Sequence, residues 1–275
     1  MVSRKDYNEV MVRAAKSVLI ELSHLLGEYH DDIVLIGGWV PPLLLGPGAH
    51  VGSTDVDLAL DHKAITSAAY AKIGKLLLGR GYSPDEQHPY VFRRAIKMEG
   101  QAFSVEVDFL SGEYGGSASS RRHQNVQDIK ARKARACDLA FTMFTEVKVE
   151  GELPDGGKDS VMVRVASIVP FLVMKGMALH SRLKAKDAWD IYYCLNNYPG
   201  GLDALAAEVT KYASNKLVQE GFLKISDKFA SEKHIGPKMA ADFEELPPGE
   251  QRDMLQRDAY EKVDYLLKAA GFRRT

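Results

Sequence analysis

Two short segments of this chain alternate apolar and polar residues, and the polar positions carry aspartates. The segment over residues 55–60 reads Asp-Val-Asp-Leu-Ala-Leu, and the segment over residues 103–109 reads Phe-Ser-Val-Glu-Val-Asp-Phe. Alternation with a period of two predicts β-strands whose successive side chains point to opposite faces of a sheet. Each strand then buries its apolar side and presents aspartates on the other, so the chain is expected to build a sheet with one acidic face.

These aspartates form a candidate site for a divalent metal ion. Asp55 and Asp57 lie two residues apart on one strand and share a face, and Asp108 joins them if the two strands are neighbours. Like charges about 4 Å apart repel by about 4 kcal/mol at an effective dielectric constant near 20, and a cation removes that cost. Magnesium prefers carboxylate oxygens, water and substrate phosphates, which predicts a nucleotide-handling Mg²⁺ (or Mn²⁺) site. The alternative is that Asp-x-Asp is only a polar strand end.

The charge balance excludes binding of a polyanion by overall charge. The 275 residues include 36 basic and 37 acidic side chains, so any affinity for nucleic acid needs a local patch. One basic run extends from Arg121 to Arg135, with six lysines and arginines against one aspartate. This run either faces the phosphates of a triphosphate or of RNA, or forms a solvated helix face.

Cysteine usage and hydropathy predict a cytoplasmic protein without a membrane partner. Cys137 and Cys194 are far apart in sequence and stand in no metal-binding or redox spacing, which fits a reducing compartment. The amino-terminal residues lack the apolar stretch of a signal peptide, and no run approaches the roughly 18 apolar residues of a membrane helix.

The order of the predicted elements indicates an α+β fold. A helix over residues 7–29 comes first, and the apolar run 33–36 follows it as a buried strand that ends at Gly37-Gly38. Helical and strand patterns then alternate as far as residue 166. The further elements predicted there are a short helix over residues 39–46, a helix over 65–78, a strand over 90–97, and a hairpin of residues 145–150 with 160–165.

Beyond residue 167 the apolar spacing is helical to the carboxyl end. The predicted breaks are at Pro199-Gly200, Gly236-Pro237 and Pro247-Pro248-Gly249. This change of pattern predicts two domains, residues 1–166 and a helical C-terminal domain of residues 167–275.

Glycines precede the acidic segment in an order that is informative. A Gly-Gly pair after a strand lets backbone N–H groups approach an anion. Here Gly37-Gly38 comes first, Gly52-Ser53 follows, and the Asp-x-Asp pair comes directly after them. This order of parts, with a third aspartate on a later strand, resembles the nucleotidyltransferase fold of the DNA polymerase β superfamily.

The carboxyl half narrows the resemblance to one family. The helical segment around Lys175, followed by Lys186-Asp187-Ala-Trp-Asp190, resembles the Lys and Lys/Arg-Asp-x-x-Asp segments of AbiEii-type toxin nucleotidyltransferases. The resemblance spans most of residues 30–195. It implies a mixed β-sheet flanked by helices, and a helical C-terminal domain that completes the active site.

The resemblance also implies roles for single residues. Mg²⁺ (or Mn²⁺) is held by Asp55, Asp57 and Asp108, the triphosphate of an NTP is contacted by Lys175, and the site is supported by Asp187 or Asp190. The expected nucleotide-binding residues are Gly37, Gly38, Gly52, Ser53 and Lys175.

In two respects the chain departs from the family pattern, and the first is that the segment between Gly38 and Asp55 is a few residues longer than usual. The family usually has an arginine four residues before the first aspartate, and here that position is Val51. The phosphate contact is therefore either lost or supplied by another basic residue, for instance His50, Arg93 or Arg94.

The function that these observations predict is Mg²⁺-dependent transfer of nucleotides from an NTP to an RNA acceptor such as tRNA. The resemblance implies the toxin of a bacterial toxin-antitoxin or phage-defence system, with a cognate antitoxin as a possible partner. Two alternatives stay open: transfer to a hydroxyl of a small molecule or protein, and a non-catalytic domain of the same fold that binds nucleotide or a partner.

Overall fold

The computed structural model describes residues 3–46, 48, 50–65, 72–112 and 123–273, and these form two compact units. The sheet unit comprises the described residues of Tyr7–Leu44 and Val51–Ser167. The helical unit comprises those of Met1–Asp6, Leu45–His50 and Ile168–Thr275. The helical unit thus takes in a short segment that precedes Val51 in the chain.

One mixed β-sheet organises the described part of the sheet unit. Its spatial order is β3-β4-β5-β2-β1-β9-β8, and β7 pairs with both β5 and β6. The pairs β1–β9, β2–β5 and β5–β7 are parallel, and the others are antiparallel. The strands are β1 (Ile33–Ile36), β2 (Asp55–Leu60), β3 (Tyr82–Pro84), β4 (Val91–Met98), β5 (Gln101–Ser111), β6 (His123–Val126), β7 (Ile129–Lys133), β8 (Phe144–Glu152) and β9 (Lys158–Ala166).

Helix α1 (Glu9–Leu25) packs against five strands of this sheet. It begins after Asn8, whose side-chain oxygen accepts a hydrogen bond from the backbone N–H of Val10 at 2.8 Å. The predicted extension of the helix to residue 29 is wrong, because Gly27–Asp32 tightens into 3₁₀ turns. The α1 side chains buried in the core include Ala14, Ala15, Val18, Leu19, Ile20 and Leu22.

Two predicted helices of the sheet unit are present in shorter form. Residues Gly37–Trp39 form a 3₁₀ turn that continues as α2 (Val40–Leu44). Helix α3 (Ile73–Gly79) matches the end of the helix predicted over residues 65–78, of which residues 66–71 lie outside the described residues. The hairpin predicted around residues 154–157 is confirmed as β8 and β9.

The basic run forms a β-hairpin in its described part. Strands β6 and β7 pair antiparallel, and Val126 and Ile129 face each other next to the turn. The interpretation of this run as a helix face is therefore wrong for these residues. Arg121 and Arg122 lie outside the described residues.

The helical unit contains α4 (Ile168–Arg182), α5 (Ala185–Asn197), α6 (Gly201–Thr210), α7 (Lys216–Lys228), α8 (Ile235–Phe243) and α9 (Glu250–Ala269). The breaks predicted at Pro199-Gly200 and Pro247–Gly249 are confirmed. The break predicted at Gly236-Pro237 is misplaced, because proline is tolerated in a first helical turn and these residues open α8. Among the described residues, no helix is both long and apolar enough to cross a membrane.

Together, the two units give a mixed sheet flanked by helices and a helical C-terminal region. The predicted α+β class is confirmed, and the architecture is consistent with a nucleotidyltransferase fold.

Candidate functional site

The three candidate metal ligands lie on one face of two neighbouring strands. Strands β2 and β5 pair in parallel, and their register places Asp57 opposite Asp108 and Asp55 opposite Glu106. The intervening Val56 and Val107 are fully buried, whereas the aspartates are half-buried. The prediction that the two strands are neighbours is confirmed, and all three carboxylates belong to the same face.

The carboxylates of this face are engaged by protein donors. Ser53 Oγ donates a hydrogen bond to Asp55 Oδ1, and Arg132 Nη2 lies 3.3 Å from Asp108 Oδ2. Among the described side chains, no group of three or more His, Cys, Asp and Glu residues is arranged to hold a metal ion.

The residues nevertheless fit a divalent ion in chemistry and in backbone position. Neighbouring strands lie about 4.8 Å apart, so the carboxylates of Asp57 and Asp108 can meet through rotation of their side chains. The donors are oxygens alone, which is the ligand type that Mg²⁺ prefers. The metal-binding roles of Asp55, Asp57 and Asp108 stay a prediction, which the spacing of the strands and the oxygen ligands support.

The Gly-Gly turn lies directly against Asp57. Gly37 has φ +70°, and a Cβ built on it would lie 2.7 Å from Asp57 Cγ and closer still to Asp57 Oδ2. Gly38 is buried in the same turn, and Trp39 Nε1 donates a hydrogen bond to the backbone oxygen of Asp55 at 2.9 Å. The turn after β1 and the first strand of aspartates are therefore fixed to each other.

Gly37→Ala is expected to impair the site more than the fold. A left-handed φ costs an L-residue about 1–2 kcal/mol, and here the added methyl group must also displace the Asp57 carboxylate. Gly156→Ala is the matched control, since Gly156 has φ +93° with no atom within 4 Å of a built Cβ. Nucleotidyl transfer and denaturant unfolding of both variants check this. We expect both variants to lose a similar unfolding free energy, and only Gly37→Ala to lose nucleotidyl transfer. Equal transfer by the two variants would contradict a role of the Gly37–Asp57 contact in the site.

Gly52 and Ser53 are also held close to the aspartate strand. Gly52 has φ +76°, and a Cβ there would lie 2.6 Å from Val12 Cγ1 of α1, so the position requires glycine. Ser53 is buried, and its hydroxyl donates to Asp55. The predicted phosphate contacts of Gly37, Gly38, Gly52 and Ser53 stay predictions.

In the helical unit, Lys175 lies between both aspartates of the Lys-Asp-x-x-Asp segment. Its Nζ is 2.8 Å from Asp187 Oδ1 and 2.6 Å from Asp190 Oδ2. Helices α4 and α5 meet through this pairing, and all three side chains are buried. The sequence predicted that one of the two aspartates returns to Lys175, and in the structure both do.

Three further side chains contact these two aspartates, of which those of His50 and Lys186 are buried and that of Arg182 is exposed. Arg182 donates to Asp187 at 2.8 Å, Lys186 donates to Asp190 at 3.0 Å, and His50 Nε2 lies 3.1 Å from Asp190 Oδ1. Three cations, Lys175, Lys186 and Arg182, thus contact the two carboxylates.

The ion pairs outweigh burial in setting the charges of this cluster. Burial alone would raise the pKa of Asp190, but Lys175 and Lys186 bring that pKa far below its usual range. Burial opposes the charged form of Lys175, yet Asp187 and Asp190 raise its pKa above the ordinary lysine value. Both ions are therefore charged at neutral pH.

His50 behaves in the opposite way. Burial lowers the pKa of His50 below 6.5, and the nearby charges of Lys186 and Lys175 add to that effect against the opposing influence of Asp190. Its ring lies 5.0 Å from that of Trp189 and 4.8 Å from that of Tyr193. His50 is thus neutral in the folded protein at pH 7.

The unfolding free energy is expected to fall as the pH decreases below about 6.5, because unfolded His50 then binds a proton that the folded state excludes. Denaturant titrations at pH 7.5 and 5.5 measure this. His50→Asn should lose less stability between the two pH values than the wild type. Equal slopes in His50→Asn and the wild type would contradict the prediction.

The residues expected to replace the family arginine are engaged elsewhere. Arg94 donates to Glu21 of α1 and therefore lies on the face opposite the aspartates, so the prediction is wrong for this residue. Arg93 pairs with Asp85 and Glu106, and His50 belongs to the buried cluster of the helical unit. The sequence analysis did not single out Arg132, which contacts Asp108. The signal available for it was its position in the basic run.

Comparison with known protein families identifies the chain. Residues 22–269 match the model of a family described as nucleotidyl transferase AbiEii toxin, type IV toxin-antitoxin system. No curated protein and no solved structure shows a significant match. The match runs from α1 to the end of α9 and includes every candidate residue of the two clusters. The chain therefore belongs to the AbiEii nucleotidyltransferase toxin family, and it is an enzyme that transfers nucleotides from an NTP.

Proposed function

We propose that this toxin is a Mg²⁺-dependent nucleotidyltransferase that modifies an RNA acceptor such as tRNA. Membership of the family supports three parts of this proposal: a toxin-antitoxin system, an NTP substrate and an antitoxin partner. The observation that supports metal dependence is the register of β2 and β5, which sets Asp57 opposite Asp108 with Asp55 on the same face.

In the proposed reaction a hydroxyl oxygen of the acceptor attacks the α-phosphorus of the NTP. A new O–P bond forms, the bond to the β-phosphate oxygen breaks, and pyrophosphate leaves with its electron pair. The hydroxyl proton passes to the carboxylate of Asp108, which acts as the general base. Asp55 and Asp57, with Asp108 beside them, would hold the divalent ion, which when bound neutralises triphosphate charge and polarises the α-phosphate.

Backbone donors near the aspartates have a separate role in this proposal. The left-handed conformations of Gly37 and Gly52 allow consecutive N–H groups to converge on an anion. We assign these amides and the Ser53 hydroxyl to phosphate oxygens. The Trp39 hydrogen bond to Asp55 keeps the Gly-Gly turn in register with the metal-binding strand.

For residues 167–275 we propose that they complete the active site as a helical domain. Lys175 would neutralise the triphosphate as a point charge, with Asp187 and Asp190 holding it in place. Two observations support this role: Lys175 is paired with both Asp187 and Asp190, and the family match continues through the helical region to residue 269.

The basic hairpin is the feature that supports RNA as the acceptor. Strand β7 carries Lys130 and Arg132 on the face of the aspartates, and it pairs with β5 directly after Asp108. Positive side chains next to the catalytic strand provide contacts for a phosphate backbone. No corresponding feature of the described residues favours a small-molecule or protein acceptor.

Incubation with each labelled NTP, Mg²⁺ and total tRNA tests the proposal. Label should enter RNA, and it should not do so with Asp55→Asn or with chelator present. Label on a protein or a small molecule would overturn the RNA assignment while retaining the enzyme class. Absence of transfer with every NTP and acceptor would contradict the proposed activity.

A further inference from the structure

We propose that Arg132 is the phosphate-contacting arginine of this enzyme, and that it exchanges Asp108 for the triphosphate when metal and nucleotide bind. The inference rests on the proposed function. Arg132 would supply the cationic contact that Val51 cannot make. Its strand comes after the aspartates in the sequence, whereas the usual arginine of the family comes before them.

The fold places Arg132 on the acidic face of the sheet. Strand β7 pairs in parallel with the end of β5, and Arg132 lies opposite Leu110. Leu110 and Asp108 are two residues apart on β5 and share a face. Arg132 therefore projects to the same side as Asp57 and Asp108, on the strand next to that of Asp108.

The ion pair between Arg132 and Asp108 is weak. Its N···O distance is 3.3 Å, whereas charged pairs of this kind commonly lie at about 2.7–2.9 Å. About a third of the Arg132 side chain is exposed (34%), so solvent screens the attraction. For comparison, Arg93 on the same face lies 2.7 Å from Glu106 and 3.0 Å from Asp85. Arg132 is thus the more readily exchanged of the two arginines.

The surroundings of Arg132 leave part of its donor capacity unused. Its guanidinium carbon lies 5.5 Å from the centroid of the Tyr90 ring, which supports the planar group from one side. Its Nε–H is buried and meets no acceptor among the described residues. A guanidinium has five N–H donors in a fixed fork, so a phosphate oxygen can bind while the ring contact is kept.

Exchange follows from competition for a single carboxylate. Arg132 Nη2 lies against Asp108 Oδ2, and either Arg132 or a divalent ion held by Asp57 and Asp108 would reduce the repulsion between these two carboxylates. With an ion held by the aspartates, Arg132 would be released from Asp108 and its guanidinium would contact the negative charge of the triphosphate. Arg132 should therefore oppose metal binding to the free protein and favour binding of the nucleotide.

Two affinities of opposite sign test this. In Arg132→Gln, Mn²⁺ should bind the nucleotide-free protein about two- to fivefold more tightly, the effect of losing one exposed ion pair. The same variant should bind the Mn²⁺ complex of a non-hydrolysable NTP analogue roughly tenfold more weakly, because a charged hydrogen bond is lost. Electron paramagnetic resonance of Mn²⁺ and calorimetry measure the two quantities.

Arg164→Gln is the matched control. Arg164 also pairs with carboxylates, Asp31 and Glu146, and lies over the ring of Phe144, but it belongs to β9, which β1 separates from β2. Neither affinity should change in this variant. Arg132→Lys, which keeps the charge without the fork, should give intermediate values and carries the test if the glutamine variant does not fold.

A parallel change in both affinities of Arg132→Gln, or no change in either, would overturn the role of Arg132. Wild-type protein that binds neither Mn²⁺ nor the Mn²⁺–nucleotide complex would instead overturn the proposed function itself. The two failures are therefore distinguishable.

Discussion

Asp57→Asn is expected to lower the rate of nucleotidyl transfer by at least about a thousandfold, since a metal ion supplies several kcal/mol to the transition state and each 1.4 kcal/mol is about tenfold in rate. Asp57 is the central ligand of the proposal, because it stands opposite Asp108 and against Gly37. Asparagine keeps the shape of the side chain but removes the charge that holds the ion. The thermal midpoint without metal should stay within about 3 °C of wild type, which corresponds to about 1 kcal/mol for a chain of this size.

Single-turnover transfer of a labelled nucleotide measures this effect. Asp61→Asn is the matched control, because Asp61 follows the same strand and its carboxylate accepts a hydrogen bond from the backbone N–H of Lys63 at 2.9 Å. That acceptor survives as an amide oxygen, so the control should transfer nucleotide at the wild-type rate. A transfer rate within tenfold of wild type in Asp57→Asn would remove this residue from the metal site.

Lys175→Met is expected to reduce both the unfolding free energy and the activity. Removing one partner of a buried ion pair costs about 3–5 kcal/mol. We expect a loss of about 3 kcal/mol, near the lower limit, because Arg182 still pairs with Asp187 and Lys186 with Asp190. Denaturant unfolding measures the stability change.

A structural role of Lys175 and its proposed role in binding the triphosphate make different predictions about activity. Leu266→Ala is the control, since this core leucine of the helical unit is 2% exposed and its truncation costs about 2–5 kcal/mol without touching a charge. Both variants should be assayed at a temperature at which they are folded. Lys175→Met should lose transfer and raise the KM for NTP, whereas Leu266→Ala should retain both. Equal activity of the two variants would restrict Lys175 to a structural role.

The strands of the acidic face were predictable because their pattern is local. Alternation with a period of two fixes which side chains share a face, and that information lies within six or seven consecutive residues. The pairing of Lys175 with both aspartates also depends on short separations, twelve and fifteen residues along two consecutive helices. These predictions were correct because they depended on local periodicity and on short connections.

The partners of these residues were not predictable, because they depend on distant pairing. Arg132 reaches Asp108 only because β7 joins the end of β5, and the sequence of the basic run suggested a helix face instead. His50 reaches Asp190 across 140 residues, and no local pattern marks that contact. The grouping of the three aspartates also depends on the register of β2 and β5, and the residues between the two strands do not specify that register.

Titration of Mn²⁺ by electron paramagnetic resonance, with a non-hydrolysable NTP analogue present, tests the shared metal site most directly. The measurement compares the wild type with Asp55→Asn, Asp57→Asn and Asp108→Asn. Each substitution should weaken Mn²⁺ binding at least about tenfold, the loss that even changes next to metal ligands commonly cause. Wild-type Mn²⁺ affinity in all three variants would show that the acidic face of β2 and β5 does not bind the metal.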